Sequence, residues 1–106
     1  MPKTFQELVR SYGSLLDRAL EQRVYKVQNN VSEGLRSIAE EMGALKAGPR
    51  DVVEIHSTAL KLKVSGENPK KVEAYAEEGR LIVLELMGHL ASHYRNYALG
   101  ARKSAE

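Results

Sequence analysis

Few side chains in this sequence could carry out chemistry, and three of them are histidines. His89 and His93 are four residues apart, a spacing that places two imidazoles on one helix face, as in metal sites. A zinc-protease motif needs Glu directly after the first His, and Leu90 stands there instead. A third ligand would have to be His56 or a carboxylate such as Glu85. We expect no metal cofactor, and we keep a metal- or ligand-binding bundle that uses His56, His89 and His93 as the alternative hypothesis.

His56 lies within the segment VVEIHSTAL, among apolar residues at helical spacing. A histidine in this setting is predicted to be buried and to hydrogen-bond a neighbouring helix. The sequence has no Gly-rich phosphate loop, nucleophile elbow or EF-hand spacing. Neighbouring acidic or basic residues such as Glu40 and Glu41 are typical of solvated helix faces. These patterns do not predict an enzyme.

Composition narrows the classes of protein to which the chain can belong. The 106 residues are 42% hydrophobic and 28% charged, which predicts a single globular domain over residues 1–106. The absence of cysteine excludes disulfides and thiolate sites and fits a cytoplasmic location. The longest apolar run, Leu81–Leu84, is too short to span a membrane. A net charge of +2, with acidic residues interleaved among the basic ones, does not predict nucleic-acid binding.

Apolar spacing predicts that the first half of the chain forms two helices. Thr4 followed by Glu7 is a capping box, which marks the start of the first helix. Helical periodicity then continues to Met42 without a proline, which is long for one helix in a globular protein. We expect a break near Glu21–Val24 and a stop at Gly43–Gly48.

The second half is predicted to form two more helices, so the fold class is an all-α four-helix bundle. Gly48-Pro49 places a proline in the first turn of the third helix. Asn68 is the expected N-cap of the last helix, with Pro69 at its first position. That helix is expected to run from Lys70 to about Leu99 and to stop at Gly100.

The last helix has a wider apolar surface than a small bundle needs. One stripe is Ile82, Val83, Leu86, Leu90, His93, Tyr94 and Tyr97, and a second is Leu81, Leu84, Met87 and Ala91. A helix that packs on one side needs an apolar face of only about 100° around its axis. We therefore expect this helix to pack in its own bundle on one side and against a partner chain on the other.

The second half of the chain resembles the C-terminal dimerisation domain of the KaiA clock protein family. The segments that carry the resemblance are DVVEIH at Asp51–His56 and RLIVLELMGHLASHYR at Arg80–Arg95. The matching positions are Val52, Val53, Glu54, Ile55, His56, Arg80, Met87, Gly88, His89, Leu90, Tyr94 and Arg95.

The first half is similar to the N-terminal domain of the RsbU phosphatase family, in which a Tyr-x-x-Gln step lies early in the second helix. Tyr25-Lys26-Val27-Gln28 matches that step. The two families resemble each other in fold, and both imply a four-helix homodimer that binds an ATP-using switch protein. The resemblance thus implies a non-catalytic regulator of bacterial stress or clock-type signalling, including sigma factor regulation. Its partner would be an RsbT-like kinase or a KaiC-like ATPase, with no nucleic acid or membrane involved.

The resemblance also implies site residues, with an apolar channel beside the second helix as the docking groove. His89 corresponds to a KaiA-like contact residue. Tyr25 and apolar residues of the last helix correspond to RsbU-like contacts, and Arg80 could pair with a carboxylate at the rim. The predicted partner-binding residues are Glu21, Tyr25, Arg80, Val83, Met87 and His89. The predicted dimer interface is Leu81, Leu84, Leu86, Leu90 and Tyr94.

Overall fold

A computed structural model describes residues 4–26 and 30–105 of the chain, with 101–105 as backbone only. The described residues form four α-helices and no strand: α1 (Phe5–Tyr25), α2 (Val31–Ala44), α3 (Pro49–Val64) and α4 (Pro69–Ala105). The all-helical prediction is confirmed at this level. None of the helices in the described part of the chain combines the length and apolarity needed to cross a bilayer.

Side-chain caps fix the helix starts that the sequence predicts. The Glu7 amide donates to Thr4 Oγ1 over 3.2 Å at the start of α1. The Lys71 amide donates to Asn68 Oδ1 over 2.9 Å, with Pro69 as the first residue of α4. At the start of α3, the Gly48 amide donates to Asp51 Oδ2 over 2.8 Å. Each cap satisfies backbone or flanking donors that a helix start leaves without a partner.

The predicted break near Glu21–Val24 is confirmed, because α1 ends at Tyr25, one residue after Val24, and α2 begins at Val31. Lys26 and Asn30 adopt left-handed backbone angles, with φ of 55° and 41°. Tyr25 is therefore the last residue of α1 and does not open the second helix; Val27 and Gln28 of the Tyr-x-x-Gln step lie outside the described residues. The predicted stop of the last helix at Gly100 is wrong, because α4 continues through Gly100 to Ala105.

The helices alternate in direction, so α1 runs parallel to α3 and α2 parallel to α4. Tyr12 and Asp17 of α1 contact His56 and Lys63 of α3 in the same order along both helices. Within the described residues α2 and α3 both pack on α1 and α4, whereas their own backbones stay apart. The shared core is mainly aliphatic: Leu8, Val9, Tyr12, Leu15, Leu16, Ala19, Val31, Leu35, Ile38, Ala39, Met42, Val52, Ile55, Ala59, Tyr75, Ile82, Leu86 and Leu90.

The last helix is the longest element and is only partly covered. Its 37 residues at about 1.5 Å each give roughly 56 Å, which matches the longest dimension of the molecule, 56 Å. Residues 94–100 are all exposed. This end of α4 therefore projects beyond the body of the bundle.

Candidate functional site

The candidate site is the side of α4 that faces away from the bundle. Leu86 and Leu90 are 0% and 2% exposed, whereas Leu81 and Leu84 are 63% and 66% exposed. We call Leu81, Leu84, Gly88 and Ala91 the outer stripe; all four are exposed and are spaced three and four residues apart. This spacing keeps side chains along one line of a helix. Leu86 and Leu90 of the first predicted stripe therefore lie on the inner side of α4, and Leu81, Leu84 and Ala91 of the second lie on the outer side.

This burial corrects the predicted dimer interface. Leu86 and Leu90 fill the core of their own chain, because they lie on the inner side of α4, and they offer no surface to a second chain. Tyr94 is partly exposed, but its hydroxyl donates to the Ala47 carbonyl over 2.6 Å and so ties α4 to the loop between α2 and α3. Leu81 and Leu84 are the predicted interface residues that the structure leaves open.

Charged residues of opposite sign continue the outer stripe at its two ends. Glu77 lies four residues before Leu81, and Arg95 lies four residues after Ala91. The Glu77 carboxylate accepts from Arg23 over 2.7 Å but remains accessible, and Arg95 is exposed. The stripe thus has an acidic end, an apolar middle and a basic end. At Gly88, an added Cβ would meet no atom within 4 Å, so the middle of the stripe is also flat.

A cleft of about 430 Å³ lies between α2 and α4. Its lining is Arg36, Ala39, Glu40, His89, Ser92, His93, Asn96 and Tyr97. His89 Nε2 donates to Glu85 Oε2 over 3.0 Å beside it. A hydrogen bond from the Ser32 hydroxyl, followed by the one from His89, lowers the pKa of Glu85. His89 is therefore held by its own helix rather than aimed freely into the cleft.

The six predicted partner-binding residues do not form one surface. Met87 and His89 are two residues apart on α4, which is about 200° around a helix. His89 faces the α2 cleft, while Met87 and Val83 pack against the core at the flank of α4. Arg80 is exposed beside the outer stripe.

The remaining two predicted contacts lie on another helix. Glu21 and Tyr25 are exposed and one turn apart on α1. Arg23 between them reaches α4 through Glu77, so Tyr25 points about 200° away from that contact. The predicted residues therefore divide into an α1 patch, the outer side and flank of α4, and the α2–α4 cleft.

His56 joins three helices, and its hydrogen bond to a neighbouring helix confirms that part of the prediction, but the side chain is half-buried rather than buried. Its Nδ1 lies 2.6 Å from the Tyr12 hydroxyl, and the rings meet edge to face at 5.7 Å. Burial raises the pKa of Tyr12 and lowers the pKa of His56. The Tyr12 hydroxyl and His56 Nδ1 share a hydrogen bond that links α1 to α3. On the other side the ring covers Gly79, where a Cβ would approach His56 Cε1 to 2.9 Å.

The three histidines do not converge on a metal site. Gly79, which His56 covers, lies ten residues before His89 on α4, a separation of about 15 Å along the helix. His93 packs its ring on Gly43 of α2. Among the residues the structure describes, no three His, Asp or Glu side chains are grouped so that they could hold a metal ion.

Sequence reasoning missed a polar cluster that joins α1, α3 and α4. The Asp17 carboxylate accepts from Lys63 Nζ over 2.6 Å and from the Tyr75 hydroxyl over 2.8 Å. Desolvation, followed by the bond to Asp17, raises the pKa of Tyr75 to about 12. Asp17, Lys63 and Tyr75 are far apart along the chain, so no local spacing could have indicated this polar cluster.

Comparison of the chain with protein-family models, curated proteins and solved structures found no match in any of the three.

Proposed function

We propose that this chain is a non-catalytic regulatory module that forms a homodimer through the outer stripe of α4 and binds a partner protein. The observation that carries the proposal is the exposure of Leu81 and Leu84 at helical spacing on the side of α4 opposite its buried face. Contiguous exposed apolar surface on a small protein marks an interaction site. Apolar spacing on two sides of one helix is typical of a helix that packs in two directions.

The projecting end of α4 also supports dimerisation. Tyr97 and Leu99 are large exposed apolar side chains on this projecting segment. Isolated helical segments of this length are marginally stable in water, because tertiary packing supplies most helix stability. A second chain that covers this end would supply the missing contacts.

The titratable groups favour a binding role over catalysis. His56 is engaged by Tyr12, and His89 by Glu85. Both histidines therefore have hydrogen-bond partners in the fold, whereas a general base is poised toward a substrate. The alternative of a metal- or ligand-binding bundle is not favoured, because His56 of α3 packs at Gly79, which is about 15 Å along α4 from His89.

An ATP-using switch protein, either RsbT-like or KaiC-like, is the class of partner that the resemblance implies. Two surfaces away from the outer stripe are open to it. One is the α1 patch of Glu21 and Tyr25, and the other is the α2–α4 cleft with His89 at its edge. A dimer through the outer stripe would leave both accessible.

Sedimentation equilibrium tests the dimer directly. We expect the unaltered chain to be dimeric and Leu84→Asp to be monomeric but folded, because Leu84 projects into solvent within one chain. Leu62→Asp is the matched control, since Leu62 is an equally exposed leucine of α3, 68% against 66%. It should remain dimeric. A monomeric unaltered chain, or equal loss of dimer in both variants, would overturn the proposal.

A further inference from the structure

We infer that two copies of this chain pair antiparallel along α4, with the two-fold axis passing the helix at the level of Leu86. This inference rests on the proposed homodimer and specifies its direction and register. It follows from the order of large, small and charged residues along the outer stripe.

In this register large side chains meet small ones. Leu81 lies five residues before Leu86 and Ala91 five residues after it, so each Leu81 faces Ala91 of the other copy. Leu84 and Gly88 lie two residues before and after, so each Leu84 faces the other copy's Gly88. The surface at Gly88 is open, with nothing within 4 Å of a Cβ built there. Four leucines therefore pack against four small residues, which lets the helices approach closely.

Opposite charges meet at both ends of the same register. Glu77 lies nine residues before Leu86 and Arg95 nine residues after it, so Glu77 of each copy faces Arg95 of the other. In a parallel pair each residue would face the same residue of the other chain, so Glu77 would face Glu77 and Arg95 would face Arg95. Like charges in register oppose association, and complementary charges set orientation. The parallel pair would also place each exposed leucine against a leucine and leave glycine against glycine.

The antiparallel pair also gives the projecting end of α4 a surface to pack on. Ala98 lies twelve residues after Leu86 and Ala74 twelve before it, so the end of one α4 runs along the start of the other. Continuing the spacing of the outer stripe, Ala98 follows Arg95 by three residues. Small residues thus extend the contact beyond the charged pair.

Cysteine cross-linking tests the register, because the chain contains no cysteine of its own. We would mix Leu81→Cys chains with differently tagged Ala91→Cys chains and oxidise them. The mixed disulfide should form about fivefold or more in excess of either homodisulfide, because identical positions lie about 15 Å apart along the axis. Glu77→Cys mixed with Arg95→Cys should give the same result while keeping both leucines.

The outcomes separate the register from the dimer itself. Homodisulfides in excess, or no mixed disulfide in either pair while sedimentation shows a dimer, would overturn the register and leave the proposed function standing. A monomeric unaltered chain would overturn both.

Gly88→Leu gives an independent check of the register. It should raise the dimer dissociation constant about tenfold or more, because the larger side chain does not fit between the two helices. Its helix content should be unchanged, because the site is open in one chain. Unaltered association of Gly88→Leu would count against the register.

Discussion

The Tyr12 hydroxyl and His56 Nδ1, 44 residues apart in sequence, lie 2.6 Å from each other where α1, α3 and α4 meet. Tyr12 is fully buried, so its hydroxyl depends on His56 for a hydrogen-bond partner. The pair is a structural contact within one chain, and it makes the fold sensitive to changes at either residue.

Removing the hydroxyl should lower stability while keeping the fold. Tyr12→Phe retains the ring but leaves Nδ1 of His56 without its hydrogen-bond partner, which should cost about 1–3 kcal/mol of unfolding free energy. Urea denaturation at one fixed protein concentration measures it. Tyr97→Phe is the control, because Tyr97 is 73% exposed, and it should change the midpoint little. Equal midpoints for the two variants would show that the Tyr12–His56 bond contributes nothing.

Stability should fall in mild acid because of His56. Burial holds its folded pKa below the ordinary value of 6.5, so unfolding takes up a proton between the two values. The stability contributed by neutral His56 is complete above about pH 6.5 and is lost as the pH falls through the folded pKa. Melting temperatures from about pH 8 to about pH 5 should show this decline. His56→Asn keeps an acceptor for Tyr12 but does not titrate, so its profile should be flatter in that window. An identical decline of the melting temperature in both proteins would show that groups other than His56 cause it.

The His93 ring packs so closely on Gly43 that a methyl group added at residue 43 should weaken the packing of α2 on α4. An added Cβ at residue 43 would collide with the imidazole. Gly43→Ala should therefore destabilise the chain by about 1–3 kcal/mol, even though alanine favours helix. Adding His93→Ala removes the obstacle, so the double variant should be more stable than Gly43→Ala alone. Denaturant melts of the three variants measure this, and failure of the second substitution to restore stability would exclude the collision as the cause.

Partner capture should depend on Tyr25. This side chain is 71% exposed, so Tyr25→Ala should leave the melting temperature and the dimer unchanged while reducing binding of a purified RsbT-like or KaiC-like candidate about tenfold or more. Leu62→Ala, at a side chain of similar exposure (68%) on α3 and outside every proposed binding surface, is the matched control. Met87→Asp is a poorer probe, because Met87 packs against the core and the change would also unfold the chain. Equal binding by the unaltered chain and Tyr25→Ala would remove Tyr25 from the partner site.

The proposed dimer predicts that the melting temperature rises with protein concentration, because two folded chains would bury the outer stripe together. Calorimetry over about a hundredfold concentration range should show the shift for the unaltered chain. Leu84→Asp should melt at the same temperature throughout. A concentration-independent melt of the unaltered chain would contradict a dimer that contributes to stability.

The caps explain why most helix starts were predictable. Thr4, Pro49 and Asn68 act through short-range hydrogen bonds or fixed backbone angles, so their residue types identify the position directly. The break after α1 was predictable only approximately, because Tyr25 to Asn30 contains neither glycine nor proline. The turn instead uses left-handed angles at Lys26 and Asn30, which lysine in particular rarely adopts.

The candidate site was predictable as a surface but not as a set of residues. Periodicity indicated two apolar stripes on α4, yet both consist of similar aliphatic side chains. Only the positions of α1, α2 and α3 decide that Leu86 lies inside and Leu84 outside. Glu21, Tyr25, Met87 and His89 do not form the single surface that was predicted, for a related reason. Spacing within a helix does not indicate which helices are neighbours.

The shared carboxylate of Asp17 has a consequence for how the fold opens. Lys63 and Tyr75 reach it from α3 and α4, so detaching either helix from α1 breaks a bond that also orients the other. Such coupling favours opening of several elements as one cooperative unit. In hydrogen exchange, the backbone amides around these three residues should therefore report a common opening free energy. Amides near the end of α4 should exchange much earlier.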